Sequence, residues 1–189
     1  DPSVLLDAWL KNAQAKGISE YQAMVVATSD RKNQVSTRVV YLRDIIADGL
    51  VFYTNFNSKK GLDIETNCDV AINLFWKELE QQIRIQGAIK KVNPDVSDAY
   101  FRERPRESQI GAWASDQSKE IPNRDYLEKQ LIRYQKEFDG GPVSRPEHWG
   151  GYIVVPHYFE FWQGRKNRLH NRVVSNLIND KWQHNLLSP

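Results

Sequence analysis

The sequence predicts a mainly β protein, an antiparallel barrel with accessory helices, and three observations carry that prediction. Five short runs rich in β-branched and aromatic residues fall in the first half of the chain: "AMVVATSD", "VSTRVVYLRD", "GLVFYTNF", "VAINLFW" and "QQIRIQGAIKKV". Turn-rich pieces such as "SDRKNQ" and "RDIIADG" separate them. Strands and helices do not alternate regularly, which argues against a doubly wound parallel sheet.

The opening "DPSVLLDAWLKNAQAKG" reads as a helix over about residues 3–16, with Val4, Leu5, Ala8, Trp9 and Ala13 at helical spacing and Gly17 as its stop. After the third strand, "SKKGLDIETN" predicts a short helix at about 58–66 with Ser58 as its cap. Helices follow at about 94–104 in "PDVSDAYFRERP", in "SQIGAWAS", and at about 123–138, the last with Leu127, Leu131 and Tyr134 on one face. "FDGGPVSRPEHWGG" is a loop by its Gly and Pro content. Two strand-like stretches, "GYIVVPHYFEFWQG" and "NRVVSNLINDKWQHNLL", close the chain.

With 189 residues, 40% apolar and 26% charged, the chain is expected to form one globular domain over 1–189. A net charge of only +2 makes any basic cluster a local feature, which argues against nucleic acid as the partner and for a small molecule. Cys68 is the only cysteine and the four histidines are scattered, so neither a disulfide nor a metal site is expected, and a reducing cytoplasm fits best. No apolar run approaches the roughly 20 residues of a membrane span, and the start lacks the pattern of a signal peptide. The abrupt opening at Asp1-Pro2 leaves room for an upstream segment.

Three clusters can carry chemistry. In "FWQGRKNRLHNR" five basic side chains fall between Arg165 and Arg172, and as a strand this stretch would send Arg168, His170 and Arg172 to one face. Such a row suits a bound anion or a solvated edge strand, and the adjacent Phe161 and Trp162 suit a flat anionic ligand. In "AYFRERPRESQIG", Tyr100 and Arg104 share a helical face that Pro105 ends, so that Ser108 can turn back and complete a phosphate grip; the alternative is an arginine paired with Glu103 or Glu107. In "TNFNSKKG", Lys59 and Lys60 stand at a helix N-terminus, where they oppose the macrodipole unless an anion lies between them. Arg38 and Arg43 add cations, but regular alternation puts them on opposite faces unless a bulge intervenes.

Together "RVVYLRD", "FYTNFNSKKG", "QQIRIQG", "YFRERPRESQIGAWASDQS", "WGGY" and "EFWQGRKNRLHNR" resemble the FMN-dependent pyridoxine/pyridoxamine 5′-phosphate oxidases, in order and over nearly the whole chain. The resemblance implies an antiparallel split β-barrel and a homodimer with FMN between the subunits. It further implies FMN contacts from Arg38, Val39, Val40, Tyr41, Tyr53, Thr54, Lys59, Lys60, Gln82, Gln117, Ser118, Trp162 and Arg172. Arg43, Tyr100, Arg104 and Ser108 would surround the substrate phosphate, and Arg168 and His170 would act near the pyridine ring and its reacting carbon. The implied reaction oxidises pyridoxine or pyridoxamine 5′-phosphate to pyridoxal 5′-phosphate, with O2 as final acceptor and hydrogen peroxide as by-product.

Four positions depart from the family pattern: Arg43 for a lysine, Lys59 for an arginine, Asn171 for an aspartate and Leu186 for an arginine. The first two keep charge while exchanging a planar fork for a point charge. They motivate an alternative, a split-barrel carrier of FMN or pyridoxal phosphate with little turnover. Another flavin reductase of the same barrel group is a third reading, which should lack the set Tyr100, Arg104 and Ser108.

Overall fold

The computed structural model describes residues 1–46 and 49–189. Its helices are α1 (Pro2–Ala15), α2 (Lys59–Thr66), α3 (Pro94–Glu103), α4 (Arg106–Ala114) and α5 (Arg124–Glu137). Its strands are β1 (Ala23–Ser29), β2 (Val35–Tyr41), β3 (Asp44–Ile46), β4 (Gly49–Asn55), β5 (Asp69–Trp76), β6 (Gln81–Lys91), β7 (Trp149–Gln163), β8 (Asn171–Ile178) and β9 (Lys181–Leu186). All pairings are antiparallel, in the order β2-β1-β5-β6-β7-β4-β3, with β8 added to β7 and β9 to β8.

The four helical ranges expected from sequence match α1, α2, α3 and α5 to within a residue at either end, and "SQIGAWAS" falls within α4 and the residue after it. Two strand assignments need correction. Asp44–Ile46, expected within a turn, pairs with β4 as β3, and Ala47 and Asp48 of that turn lie outside the described residues. The last strand-like stretch is two strands, because Asn179 and Asp180 both take positive φ, 48° and 59°, and reverse the chain between β8 and β9.

β7 organises the sheet. One of its edges pairs with β6 over Tyr152–Gln163, while the other serves β4 over Trp149–Val154 and β8 over Tyr158–Gln163. The irregularity that bends this ladder lies between Gln86 and Gly87, where a side chain at 87 would meet the Val155 carbonyl oxygen at 2.3 Å. The main core joins Met24, Val26, Ile72, Leu74, Ile83, Ile85, Phe159 and Phe161 of the sheet to Leu6, Leu10 and Ala13 of α1. Each of these side chains larger than alanine contributes about 1.5–3 kcal/mol by leaving water. The buried stripe of α1 is 6, 10, 13: of the face the spacing suggested, Ala13 is in the core and Trp9 packs against it, whereas Val4 and Leu5 are 70% and 38% exposed and Ala8 is exposed. Gly17, at φ 78°, ends the helix as expected.

A smaller core of Phe101, Ile110, Val143 and Trp149 lies beneath α3, α4 and α5. Leu131 and Tyr134 of α5 pack on it, whereas Leu127 of the expected face is not among its contacts. This second core fixes α3 and α4 above the junction of β4 and β7.

Candidate active site

A cleft of about 650 Å³ opens between the ends of β2 and β4, the start of α2, and the α3–α4 corner. β2 lines it with Arg38, Val39, Val40 and Tyr41, and β4 with Tyr53, Thr54 and Asn55. Arg43 joins the same wall. No bulge is needed to bring Arg38 and Arg43 together: β2 ends at Tyr41, Leu42 turns into the core, and the Arg43 amide donates to Val51 of β4.

At the start of α2 the Ser58 hydroxyl caps the helix, accepting from the Gly61 amide. A side chain at 61 would stand 1.8 Å from the Phe56 carbonyl oxygen, so only glycine lets α2 approach the end of β4 this closely. That approach buries Lys60, whose Nζ donates to Thr54 Oγ1 (2.9 Å), Ser58 Oγ (3.0 Å) and Gln117 Oε1 (3.0 Å), all uncharged. Burial, helped by the charge of Arg38, pulls the Lys60 ammonium down to about 8. Lys59 instead pairs with Asp63 one turn on.

Asp63 is 2% exposed and is the hub of this wall. Its Oδ2 accepts from Thr28 Oγ1 (2.7 Å) and Ser36 Oγ (3.2 Å), and these hydroxyls accept in turn from Arg38 Nη1 and Nη2, each at 2.7 Å. Burial alone would push the Asp63 carboxyl up, but hydrogen bonds from Lys59, Thr28 and Ser36, with the Lys59 charge, hold it below the usual carboxylate range.

The α3–α4 corner supplies Tyr100, Arg104 and Ser108. Arg104 is the C-cap residue of α3 and Pro105 the N-cap of α4, which turns Ser108 back into the cleft as the sequence suggested. The Arg104 guanidinium lies over the Trp149 ring at 4.4 Å, and its Nη1 is buried without a hydrogen-bond partner. Pairing with Glu103 or Glu107 is not seen, and among the described residues Arg43, Lys60 and Arg104 have no carboxylate partner. Tyr53 and Tyr100 stack at 3.7 Å with 3° between planes, and Trp149 lies parallel to both within 9°. Gln117 and Ser118, the latter at φ 71°, close the cleft from the loop after α4.

The remaining expected residues form a second cluster at the far end of β7. Gln82, Trp162 and Arg172 are direct partners across β6, β7 and β8, so their side chains share one face. The His170 ring packs on Trp162 at 4.6 Å, and its Nδ1 accepts from the Arg165 amide at 3.1 Å. Arg172 Nε donates to Glu160, which is 1% exposed and also accepts from Arg84 and Tyr158. β8 starts at Asn171, where the strand-like run was expected to begin, but the alternation considered for Arg168–Arg172 is not realised: Arg168 sits in a tight turn with Asn167, both left-handed at φ 60° and 59°. Trp162 lies thirteen positions beyond Trp149 on β7, up to ~40 Å along an extended strand, so the two clusters sit at opposite ends of β7 in one chain.

Sequence reasoning missed Asp63 and Trp149. Trp149 was visible in "WGGY" but carried no charge or periodicity to mark it. Asp63 carried a signal, an acidic residue four after Lys59 on a helix.

Comparison with known proteins bears on the family and the fold. Residues 10–136 match the family model for pyridoxamine 5′-phosphate oxidase, and 149–189 match that for the pyridoxine 5′-phosphate oxidase C-terminal dimerisation region. The pyridoxine/pyridoxamine 5′-phosphate oxidase of Bdellovibrio bacteriovorus is 49% identical over 190 residues, covering 100% of this chain and 97% of its own. That of Cytophaga hutchinsonii is 49% identical over 176 residues, covering 92% and 82%. Among solved structures, PhzG from Burkholderia lata 383, in complex with tetrahydrophenazine-1-carboxylic acid, superposes with a TM-score of 0.95 at 28% identity, covering 100% of this chain and 93% of its own. A pyridoxamine 5′-phosphate oxidase-related, FMN binding protein from Nostoc punctiforme shares the fold at a TM-score of 0.79 and 14% identity, covering 100% and 98%. Two family models that follow one another along the sequence, and a relative 49% identical over 97% of its own length, leave one assignment: the chain belongs to the pyridoxamine 5′-phosphate oxidase family.

Proposed function

We propose that this chain is an FMN-dependent oxidase that converts pyridoxine 5′-phosphate or pyridoxamine 5′-phosphate to pyridoxal 5′-phosphate. The alcohol and O2 give the aldehyde and hydrogen peroxide; the amine also takes up water and releases ammonia. The observation that carries the reading is the buried, partnerless Nη1 of Arg104 beside Tyr100 and Ser108, in a cleft whose Lys60 has only neutral partners. Buried cations without counterions are costly, and a phosphate near −2 at neutral pH satisfies them. A cleft of about 650 Å³ also lies within the usual range for small-molecule sites.

In this reading Lys60, Lys59 and Arg38 hold the FMN phosphate, while Tyr53, Thr54, Gln117, Ser118 and the backbone of Val39–Tyr41 flank the cofactor. Arg43, Tyr100, Arg104 and Ser108 grip the substrate phosphate. When bound, FMN supplies the ring that accepts hydride from C4′ and returns the electrons to O2. The protein's part is alignment and charge balance. Because the Arg165 amide occupies His170 Nδ1, the neutral ring carries its proton on Nε2 and can donate to the substrate, with Arg168 fixing the pyridine.

Gln82, Trp162, Arg168, His170 and Arg172 complete the site from the partner of a homodimer. Supporting this, the face that carries them continues into exposed apolar side chains, Phe75 on β5 and Val39 and Tyr41 on β2, 53%, 60% and 42% exposed. Such a patch suits burial against a second subunit. Among the described residues no helix is long and apolar enough to cross a membrane, and we place the reaction in a reducing cytoplasm, where the unpaired Cys68 fits.

The direct test is whether the purified protein is yellow and consumes O2 with pyridoxine 5′-phosphate. A bound flavin that does not bleach anaerobically with pyridoxamine 5′-phosphate would leave the carrier reading in its place. Trp149 should act through Arg104. Trp149→Leu is expected to raise KM for the phosphorylated substrate about tenfold with a smaller change in kcat, while Trp149→Phe keeps most of the affinity. Steady-state kinetics alongside Tm would separate this from loss of the fold.

A further inference from the structure

Arg38 and Lys59 both face the cleft, yet neither is free: one buried carboxylate organises them. The Arg38 fork donates from Nη1 to the Val26 carbonyl (3.1 Å) and Thr28 Oγ1 (2.7 Å), and from Nη2 to Ser36 Oγ (2.7 Å). A hydroxyl has one proton, and the protons of Thr28 and Ser36 go to Asp63, so both oxygens are turned to accept from Arg38. The direct separation of Arg38 Nη2 from Asp63 is 3.9 Å, too long for a hydrogen bond. Asp63 therefore acts on Arg38 through two relays and on Lys59 by contact. Arg38 Nε and the remaining Nη2 proton have no partner among the described residues in these bonds, and they are the donors left for a ligand.

We infer that Asp63 is a positioning residue for phosphate recognition, holding Arg38 through Thr28 and Ser36, and Lys59 directly, in the orientation that meets the cofactor's phosphate. The inference rests on the reading of this cleft as the FMN site. It makes a prediction opposite in sign to simple electrostatics. Removing a negative charge beside an anion site should tighten anion binding if charge alone governed affinity. If Asp63 acts by aiming the cations, its removal weakens binding although the cleft becomes more positive.

The test is titration of the apoprotein with FMN and, separately, with riboflavin, which lacks the phosphate, followed by quenching of flavin fluorescence. For Asp63→Asn the Kd for FMN should rise about 10- to 30-fold while that for riboflavin changes less than about threefold, the loss expected when charge-assisted hydrogen bonds are misaligned. A folded Asp63→Asn protein whose FMN affinity is unchanged or improved overturns the inference. So does an equal loss for both flavins, which would mark Asp63 as a general support of the cleft. Should Asp63→Asn fail to fold, Ser36→Ala and Thr28→Val each remove one relay and leave the carboxylate in place. Each should weaken FMN about threefold and spare riboflavin, and no change in either overturns the inference. A wild-type protein that does not prefer FMN to riboflavin would instead sink the cofactor-site reading itself.

Discussion

Co-expressed Arg104→Ala and Arg168→Ala chains are expected to recover about a quarter of wild-type activity, although neither variant alone turns over appreciably. The expectation follows from the two clusters being held at opposite ends of β7. If each site joins the cleft of one subunit to the Arg168 turn of the other, both sites of either pure dimer lack a residue. In a mixed dimer one site lacks both residues and the other lacks neither. Random pairing makes about half of the dimers mixed, hence about a quarter of all sites intact. The separate losses are large enough to show the effect. Truncating the half-buried Arg104 should lower kcat/KM about 10²- to 10³-fold, since it removes a partly desolvated charge from a dianion. Arg168→Ala should slow turnover and raise KM while FMN stays bound. Activity of differentially tagged, co-purified heterodimers decides the matter; no recovery would mean that each site is built within one chain.

The second large effect concerns Lys60. Its ammonium sits at about 8 because burial disfavours the charge and Arg38 adds repulsion. The folded value is below the ordinary 10.5, so between about pH 8 and 10.5 the unfolded chain binds the extra proton, and this group makes the apoprotein more stable as pH rises through that window. FMN binding runs the other way. A phosphate dianion favours the protonated amine, so the Kd for FMN should climb up to about tenfold per pH unit above pH 8, while riboflavin shows no such slope. Lys60→Met should abolish the slope and weaken FMN about 10²-fold at pH 7. Lys60→Arg, charged throughout, should also flatten the profile. Fluorescence titrations from pH 7 to 9.5 would check both; a slope that survives in Lys60→Met would assign the titration to another group.

Much of the architecture was readable from residue patterns because it rests on local rules. Strand periodicity, Ser58 as a cap, Gly17 as a stop and Pro105 as a corner need only a few neighbouring residues, and each appears where those rules put it. What escaped depends on tertiary partners. The buried stripe of α1 is chosen by which face meets Phe159 and Phe161, and both Leu5 and Leu6 fit a helical repeat. β3 is three residues long and exists only because β4 offers an edge. The Arg168 turn alternates like a strand on paper; Asn167 is of a type that favours positive φ, but nothing in composition marks positive φ at Arg168. The cations of the cleft could be counted from sequence, but not that Asp63 ties two of them and leaves Lys60 among neutral oxygens.

Asn167 and Arg168 hold consecutive left-handed backbone conformations, which asparagine tolerates and which cost an arginine about 1–2 kcal/mol. A population of variants selected for heat resistance alone would drift toward glycine or asparagine at 168, gaining melting temperature. If Arg168 serves the reaction as proposed, one selected for catalysis would keep the arginine and carry the burden. The hairpin between β7 and β8 would then be where pressure for robustness and pressure for speed pull apart.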